Sequence, residues 1–209
     1  MTNIKHNQYP DLTPELEDVV IGTLLGDAKL TFSNLGNAAY VCEQGDLHKD
    51  YIDSLFKLFK DYTKNDSLTE YTRVDKRTNK VTVSYHFSTV TLPIFYRYVE
   101  LFYVPDTRRV IKVIPANISD LLTPRALAYW IMDDGQYVKR GGVTLCTDSF
   151  TLDEVNLLKG VLENKFGLAC TLHVKNKRNR IYISGKSLPL LRAELTKYMY
   201  PSFMYKLAY

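Results

Sequence analysis

Cysteine is scarce in this chain of 209 residues, which has only three. Cys42, Cys146 and Cys170 form no Cys-x-x-Cys pair and are odd in number, which excludes the common zinc-site spacing and a complete set of disulfides. We therefore expect a reducing compartment, in which the three thiols serve as small apolar core residues.

Long apolar runs are also missing. No segment approaches the roughly 18–20 consecutive apolar residues of a membrane-spanning helix, so we expect no membrane partner. The first residues have neither an apolar segment nor an Arg- and Ser-rich amphipathic stretch, which predicts no signal or transit peptide. Neither a phosphate-binding Gly-x-x-x-x-Gly-Lys loop nor a His-Glu-x-x-His motif occurs, so neither ATP use nor zinc protease chemistry is indicated.

What the chain does contain is enough apolar sequence for a core and a modest excess of positive charge. Hydrophobic residues make up 45% of the chain, and the formal net charge is +4. This charge permits a polyanionic partner without requiring one.

The most informative feature is an internal repeat of two apolar helices. Thr13-Pro14 and Thr123-Pro124 each open an apolar run, and a Thr N-cap followed by Pro is a helix start signal. Each run ends with an acidic residue beside small ones, in the nine-residue windows 20–28 and 127–135. Helices that are apolar on nearly every side belong in a core.

The elements that follow the two helices repeat as well. Stretches rich in β-branched and aromatic residues predict strands, and apolar residues at helical spacing predict amphipathic helices. In the first half these are strands at 29–32 and 39–43, a helix at 46–62, strands at 68–75 and 81–87, and a helix at 92–102. In the second half they are strands at 136–138 and 143–147, a helix from 152, strands at 170–174 and 180–184, and a helix at 188–198.

Two of these helices carry finer signals. Thr151 and Glu154 have the spacing of a capping box at the start of the second-half helix. The residues of that helix expected to face inward are Val155, Leu158, Val161 and Leu162. The inner face of the helix at 46–62 is expected to consist of Leu47, Tyr51, Ile52, Leu55, Phe56 and Phe59.

The order helix-strand-strand-helix-strand-strand-helix thus occurs twice, which predicts an α+β fold with pseudo-two-fold duplication. We place the halves at residues 1–104 and 123–209, joined by a connecting segment at 105–122. Each half is expected to form a four-stranded antiparallel sheet. Two such halves in one chain form a built-in dimer, so the chain is expected to act as a monomer.

With its two windows the chain resembles the single-chain LAGLIDADG homing endonucleases, because each window places an acid at the eighth position of that motif. The resemblance extends from Thr13 to Lys206. It implies a metal-dependent endonuclease that hydrolyses both strands of a long, asymmetric double-stranded DNA target and leaves short 3′ overhangs. It also implies that the two sheets form a DNA-binding saddle, and that the gene lies in an intron. The location is then mitochondrial for an organelle intron and otherwise intracellular.

The resemblance assigns the chemistry to Asp27 and Asp134, which the packing of the motif helices would bring close together, with the backbone carbonyls of Gly26 and Asp133 as further metal ligands. An acid at a helix C-terminus is disfavoured by the helix dipole, so two at matching positions indicate a metal. Hard oxygen ligands without nearby Cys or His select Mg²⁺, with Mn²⁺ as a substitute, rather than zinc. Asp133 is an alternative ligand to Asp134.

The first motif helix has two glycines four residues apart, Gly22 and Gly26. They lie on one helix face, where the absence of side chains allows close backbone approach. We take Ala128 and Met132 as the corresponding positions of the second helix, which predicts an asymmetric contact.

The resemblance also places a catalytic lysine in each half, at Lys112 and Lys206. A cation near each metal site would stabilise charge on the scissile phosphate. Each lysine follows the final helix of its half, so the repeat supports the pair. Arg108 and Arg109 are competing candidates beside Lys112.

DNA recognition is expected from the polar faces of the sheets, because the major groove admits a β-ribbon. Arg and Lys can read guanine and Gln can read adenine, while other contacts go to phosphate. In the last hairpin, His173, Lys175 and Lys177 are expected to share one face. Glu43, Asp75 and Asp148 are interpreted as solvated, or at best as acceptors from cytosine. The candidate DNA-binding residues are Lys29, Gln44, Arg73, Lys76, Arg77, Lys80, Thr82, Ser84, His86, Gln136, Lys139, Arg140, Thr144, His173, Lys175, Lys177, Arg178 and Arg180.

Two other functions fit the same scaffold. LAGLIDADG proteins can act as intron maturases, which bind RNA and assist group I intron splicing. A DNA-binding regulator could use the fold without cleaving. The presence of both acids and both lysines favours the nuclease, and intron RNA stays an alternative partner.

Overall fold

Each half of the chain builds one four-stranded antiparallel sheet, as the repeat predicts. The structure, a computed structural model, describes residues 9–33, 36–107 and 109–208. The first half contains α1 (Pro14–Leu25), β1 (Lys29–Ser33), β2 (Asn37–Gly45), α2 (Lys49–Leu58), β3 (Thr69–Val74), β4 (Val81–Ser88) and α3 (Pro93–Phe102). Then come β5 (Tyr103–Pro105), β6 (Val110–Lys112) and α4 (Ile118–Leu121). The second half contains α5 (Pro124–Asp134), β7 (Gly135–Tyr137), β8 (Val143–Leu145), α6 (Leu152–Phe166), β9 (Cys170–Lys175), β10 (Arg178–Ile183) and α7 (Leu188–Leu195).

The strands of the two sheets are arranged in the same order. The first sheet runs β1-β2-β4-β3 and the second runs β7-β8-β10-β9. In each sheet all neighbouring strands are antiparallel. The α+β fold and its two four-stranded sheets are therefore confirmed.

Both motif helices begin where the Thr-Pro signals predict. The backbone N–H of Leu16 donates to Thr13 Oγ1 at 3.3 Å, and that of Ala126 donates to Thr123 Oγ1 at 3.1 Å. Each hydroxyl satisfies one of the N–H groups that the first helical turn leaves unpaired. The predicted capping box of α6 is formed as well.

The core of the first half is aromatic. The ring of Tyr40 on β2 stacks on that of Phe59, with centroids 4.6 Å apart. Five of the six residues expected on the inner face of the helix at 46–62 are buried, but Leu47 is 90% exposed. The α-helix begins only at Lys49, and the preceding 3₁₀ turn, Asp46–His48, directs Leu47 away from the helical face.

The core of the second half is mainly aliphatic around one indole. Trp130 of α5 and Ile181 and Ile183 of β10 have no exposed surface. The four residues predicted to face inward from α6 are all buried. This half therefore buries one face of its sheet against the helices, as the strand pattern predicts.

The three cysteines carry free thiols, as expected from their number and spacing. Cys42 and Cys170 are buried, and burial raises the pKa of the Cys170 thiol to about 12. Such a thiol is inert at neutral pH and acts as a small apolar side chain. Within the described ranges, no helix combines the length and apolarity needed to cross a membrane.

The segment predicted only as a connection has secondary structure of its own. Strands β5 and β6 form a short antiparallel hairpin, and α4 follows. The chain divides into two compact units. One holds Asp27–Glu100 and the chain before Asp18, and the other holds Asp18–Gly26 and the chain from Leu101 onward. Most of α1 and the whole β5–β6 hairpin therefore belong to the second unit.

The tip of the β9–β10 hairpin is tighter than predicted. Arg178 pairs with Lys175, so the turn consists of Asn176 and Lys177, whose φ angles are 50° and 61°. Two successive left-handed residues match the twist of the strands they join. Lys177 thus lies in the turn, which corrects the prediction that it shares a strand face with His173 and Lys175.

Candidate metal centre and polar sheet faces

The two motif helices, α1 and α5, approach most closely at the glycines of α1. A Cβ atom built on Gly22 would lie 2.2 Å from the carbonyl oxygen of Ala126 and 2.8 Å from the Cβ of Tyr129. One built on Gly26 would lie 2.4 Å from the Cβ of Asp133. These distances are far below van der Waals contact, so both positions require glycine.

The residues of α5 that face the two glycines differ from those expected from the sequence. They are Tyr129 and Asp133, so the match to Ala128 and Met132 is wrong by one position. The correct pair lies at the third and seventh positions of the window, as in the first copy. Ala128 and Met132 are instead buried in the core, with 0% and 1% of their surface exposed.

Asp27 follows the end of α1 and is exposed. Gln44 donates from Nε2 to Asp27 Oδ2 at 2.9 Å, and Gln44 itself is only 7% exposed. The expectation that Gln44 reads adenine is therefore corrected: it orients a carboxylate. Gln44 lies on the buried face of β2, two residues after Cys42 and four after Tyr40. This period of two was the sequence signal that could have placed Gln44 on the buried face.

Asp134 is the last residue of α5 and is half-buried. Its backbone carbonyl accepts a hydrogen bond from the N–H of Cys146 at 3.1 Å, which ties the helix end to the chain after β8. The side chain of Asp133 turns to the helix contact, where its Oδ2 would be 2.8 Å from a Cβ on Gly26. This packing favours Asp134 as the metal-binding acid.

The amino group of Lys112 lies at the C-terminus of α1. Its Nζ donates to the carbonyl oxygen of Leu24 at 2.8 Å and lies 3.5 Å from that of Gly26. Of the two competing arginines, Arg108 lies outside the described residues, and Arg109 is exposed in the turn between β5 and β6. The geometry therefore favours Lys112.

The amino group of Lys206 makes the same kind of contact at the C-terminus of α5. Its Nζ lies 3.2 Å from the carbonyl oxygen of Ile131 and 3.5 Å from that of Asp133, and it also donates to Met132. In both helices the carbonyls are those of the fifth and seventh window positions. Lys206 is only 6% exposed, so it is not a solvated surface lysine. Each cation donates to carbonyls of the last helical turn and opposes the negative end of the helix dipole.

The metal ligands assigned from the sequence are all oxygen atoms. Among residues 9–33, 36–107 and 109–208, no three His, Cys, Asp or Glu side chains come together. Each acid would therefore be completed by the carbonyl of the residue before it and by oxygen atoms from outside the chain. Such a hard and open ligand set fits Mg²⁺ or Mn²⁺ and does not fit zinc.

The polar face of the first sheet carries several predicted DNA-binding residues, among them Thr82, Ser84 and His86 on β4. Arg73 on β3 donates to both carboxylate oxygens of Glu43, at 2.6 and 3.3 Å. Ser84 also donates to Glu43, at 2.7 Å. The hydrogen bond from Arg73 lowers the pKa of Glu43. Glu43 is thus an anchor for Arg73, which corrects its interpretation as a solvated carboxylate.

The rest of this face surrounds that anchored arginine. Lys29 on β1 pairs with Val41, two residues from Glu43 on the same face of β2. The ring of Tyr71 stacks on that of His86, with centroids 4.5 Å apart. The face therefore combines a cation, an ion pair and an aromatic stack.

The tip of the β3–β4 hairpin exposes three predicted DNA-binding cations, Lys76, Arg77 and Lys80. Asp75 organises this turn by accepting from the backbone N–H groups of Arg77 at 2.7 Å and Thr78 at 3.1 Å. These hydrogen bonds lower the pKa of Asp75. Asp75 therefore stabilises the turn at the tip of this hairpin.

The polar face of the second sheet also carries an arginine that is held by a carboxylate. Arg180 donates from Nε to Asp148 at 2.7 Å, from Nη2 to the second oxygen of Asp148, and from Nη1 to Gln136 at 3.2 Å. The hydrogen bonds to Asp148 lower its pKa. The ring of His173 stacks on that of Tyr182 at 4.8 Å. Asp148 therefore holds Arg180 in place, as Glu43 holds Arg73.

Strand register brings the other candidates of the second half to the same surface. Gln136, Thr144 and Tyr182 pair in one row across β7, β8 and β10. Exposed around this row are Lys139, Arg140, His173, Lys175 and Arg178.

Comparison with known proteins gives a consistent result. Residues 17–191 match the model of the LAGLIDADG DNA endonuclease family. The chain is 41% identical over 126 residues to the intron-encoded endonuclease ai4 of Dictyostelium discoideum, covering 59% of this chain and 76% of that protein. It is 28% identical over 209 residues to the DNA endonuclease I-ChuI of Chlamydomonas applanata, covering 94% and 96%. It is also 31% identical over 201 residues to the cytochrome b mRNA maturase bI2 of Debaryomyces hansenii, covering 94% and 74%.

Solved structures share the fold. The homing endonuclease I-WcaI bound to its DNA recognition sequence superimposes with a TM-score of 0.87 at 26% identity, covering 97% of this chain and 89% of that one. I-DmoI in complex with DNA and Ca gives a TM-score of 0.51 at 14% identity, covering 93% and 98%.

Proposed function

This chain belongs to the LAGLIDADG DNA endonuclease family, and we propose that it cleaves both strands of its DNA target at a centre built from Asp27, Asp134, Lys112 and Lys206. The proposal rests on the same arrangement of an acid and a lysine at the ends of both motif helices. An acid lies at the end of α5 and just after the end of α1, and a lysine donates to the carbonyls of each helix end.

The metals of this centre would be held by the two carboxylates with the carbonyls of Gly26 and Asp133. We propose Mg²⁺, which Mn²⁺ can replace, because the assigned ligands are hard oxygens. When bound, the metals would supply an activated water and neutralise charge on the leaving oxygen. Gln44 supports the centre by fixing the orientation of the Asp27 carboxylate.

The two lysines supply positive charge at the helix ends, where negative charge develops on the phosphate during hydrolysis. Their ammonium groups are held by backbone carbonyls before substrate arrives. A cation already in place costs no reorganisation in the transition state. Lys206→Met is therefore expected to slow cleavage on the order of 10²-fold, by comparison with the loss of one oxyanion-hole donor.

The polar sheet faces would read the DNA sequence. Arg73 and Arg180 are fixed by carboxylates, which suits reading of guanine at defined positions, whereas the hairpin-tip cations suit phosphate contacts. Because the two faces carry different residues, we propose an asymmetric target. Cleavage with short 3′ overhangs follows from family membership and belongs to the same proposal.

The acids are the direct test of the proposed centre. Selection of cut molecules from a randomised duplex library in Mg²⁺ would first identify the target. We then expect Asp27→Asn and Asp134→Asn each to abolish double-strand cleavage while the dissociation constant for the target changes little, because the neutral amides keep the shape but lose the charge that binds metal. Gel-resolved cleavage and fluorescence anisotropy measure the two quantities.

Asp120→Asn is the matched control, because Asp120 is an exposed aspartate on α4 outside the proposed centre. It should cut at the normal rate. Full double-strand cleavage by Asp27→Asn or Asp134→Asn would refute the metal assignment. Replacing Mg²⁺ by Mn²⁺ should retain cleavage, and chelation of all divalent ions should stop it.

A maturase role is the second candidate, and the 31% identity to a cytochrome b mRNA maturase favours it. It predicts binding to a group I intron RNA and faster splicing of that RNA when the protein is added. Splicing that persists in Asp27→Asn and Asp134→Asn would separate the RNA role from DNA cleavage. Together with the intron-encoded relatives, this similarity supports an origin in a mitochondrial intron.

A further inference from the structure

We propose that Arg192 and Glu154 are positioning residues, which hold Lys206 and Lys112 respectively at the ends of the two motif helices. This inference rests on the proposed centre, because it gives each lysine of that centre its own anchor. Neither residue carries a sequence signal for catalysis: Arg192 lies on α7, and Glu154 belongs to the capping box of α6.

Arg192 binds the backbone that directly follows Lys206. Its Nε donates to the carbonyl oxygen of Leu207 at 2.8 Å, and its Nη2 donates to that of Ala208 at 2.6 Å. Ala208 has a φ of 57°, a left-handed conformation that residues with a Cβ seldom adopt. A fork of two parallel N–H donors is suited to fix two successive carbonyls in this conformation.

The segment that carries Lys206 needs such an anchor. It is a single 3₁₀ helix, Pro201–Leu207, and 3₁₀ hydrogen bonds have poorer geometry than those of an α-helix. Within it, the amino group of Lys206 lies 4.8 Å from the centroid of the Phe203 ring. Phe203 and Leu207 pack the segment into the core, and Arg192 adds a polar contact to the backbone immediately after the lysine.

Glu154 is the corresponding anchor for Lys112. One of its carboxylate oxygens accepts from the backbone N–H of Ile114, two residues after Lys112, at 2.8 Å. The other accepts from the N–H of Thr151 at 2.7 Å and from its hydroxyl at 2.8 Å. One carboxylate therefore joins the start of α6 to the chain that leaves β6. The N–H of Val113, between Lys112 and Ile114, donates to the carbonyl oxygen of Phe102 at 2.8 Å.

The two anchors predict effects that differ by DNA strand. Lys206 contacts α5 and Lys112 contacts α1, so each lysine serves a different acid in the proposed centre. Loss of one anchor should displace one lysine and slow cleavage of one strand. A displacement of about 1 Å is enough to reduce a rate on the order of 10²-fold.

The experiment is strand-resolved cleavage of an end-labelled target by the full chain in Mg²⁺. Arg192→Met should slow the same strand as Lys206→Met, by at least about tenfold, and so accumulate a nicked intermediate. Glu154→Met should slow the strand that Lys112→Met slows, because methionine cannot accept the hydrogen bond from the Ile114 N–H. DNA affinity should stay within about twofold, since neither anchor lies on the polar sheet faces.

Epistasis and matched controls make the assignment specific. The double variant Arg192→Met/Lys206→Met should be no slower than Lys206→Met alone, because an anchor has no effect once its lysine is gone. Arg192→Lys, which keeps a cation but has one donor nitrogen in place of two, should recover part of the rate. Glu163→Met, also on α6, and Arg125→Met, at the start of α5, should cut both strands normally.

Each result decides a different point. If Arg192→Met slows both strands equally and lowers the melting temperature, Arg192 is only structural and the inference is wrong. Normal cleavage by both anchor variants, with slow cleavage by the lysine variants, would overturn this inference but leave the proposed centre. Normal cleavage by Lys206→Met and Lys112→Met would remove the centre itself and the inference with it. Should Arg192→Met fail to fold, a normal rate in a folded Arg192→Lys variant that has lost the contact to Ala208 would also refute it.

Discussion

At the scale of single residues, the polar sheet faces are organised by carboxylates. Glu43 on β2 and Asp148 in the turn after β8 each bind an arginine through two hydrogen bonds, and the two arginines lie on different sheets. An exposed ion pair such as Arg73–Glu43 adds little to folding stability, because solvent screens it. The carboxylates instead hold the guanidinium groups of Arg73 and Arg180 in one orientation before DNA binds. This reduces the conformational entropy that is lost on binding.

The pKa of Asp148 tests whether this pair persists in solution. The hydrogen bonds from Arg180 lower that pKa, so the carboxylate should titrate below the range of an ordinary aspartate, about 3.9. Because the folded-state pKa is depressed, the pair contributes stability above the unfolded-state pKa and loses it as the pH falls through the folded value. NMR titration of the carboxyl carbons measures this directly.

In Arg180→Met, the pKa of Asp148 should rise towards the ordinary value. Asp75 provides the internal control, since its pKa is lowered by backbone N–H groups of its own turn and should not respond to the substitution. An Asp148 titration that is identical with and without Arg180 would show that the ion pair does not form in solution.

At the scale of elements, the contact between α1 and α5 leaves no room for a side chain at Gly22. A Cβ on Gly22 would meet a backbone carbonyl at 2.2 Å, and backbone cannot move aside as a flexible side chain can. The contact includes Gly26 and Asp133, the residues that directly precede the two acids Asp27 and Asp134.

Gly22→Ala is expected to destabilise the protein by roughly 1–3 kcal/mol, because the added methyl group must push the helices apart. Gly160→Ala is the matched control in another helix. A Cβ at Gly160 meets nothing closer than 4.0 Å, so alanine there should be neutral or stabilise by up to about 1 kcal/mol. Urea unfolding measures both, and equal midpoints for the two variants would contradict the close contact.

At the scale of the whole molecule, the net charge of +4 is modest, so DNA affinity depends on where the cations lie. The hairpin tip and the polar sheet faces concentrate lysine and arginine, whereas the helical side of each sheet carries the core contacts. Phosphate contacts release counterions, which makes binding weaken as salt concentration rises.

Lys80→Ala should reduce the slope of log affinity against log salt by about 0.9, because one phosphate contact is lost, and weaken binding to all sequences alike. Lys57→Ala, an exposed position on α2, should leave the slope unchanged. Anisotropy titrations over a series of salt concentrations give the slopes. A loss confined to one target sequence would instead identify Lys80 as a base-reading residue.

Features that depend on a few neighbouring residues, or on repetition, could be predicted from the amino-acid order alone. The helix starts at Thr13 and Thr123 and the capping box at Thr151 each involve groups three residues apart, so their hydrogen bonds can be inferred from spacing. The duplicated element order was likewise visible, because strand and helix periodicities are local. Together these features predicted the α+β fold, and the family resemblance of the two windows assigned the acids and the lysines.

The polar groups that meet across long sequence separations became evident only in the folded chain. Gln44 reaches Asp27, Arg73 binds Glu43 and Glu154 binds Ile114 because strand register and helix packing place them together. Such contacts join residues 17 to 40 positions apart in the chain. The alternation of β2 could place Gln44 on the buried face, but no local pattern encodes which partner each of these side chains meets, since a register shifted by one residue turns each side chain to the opposite face.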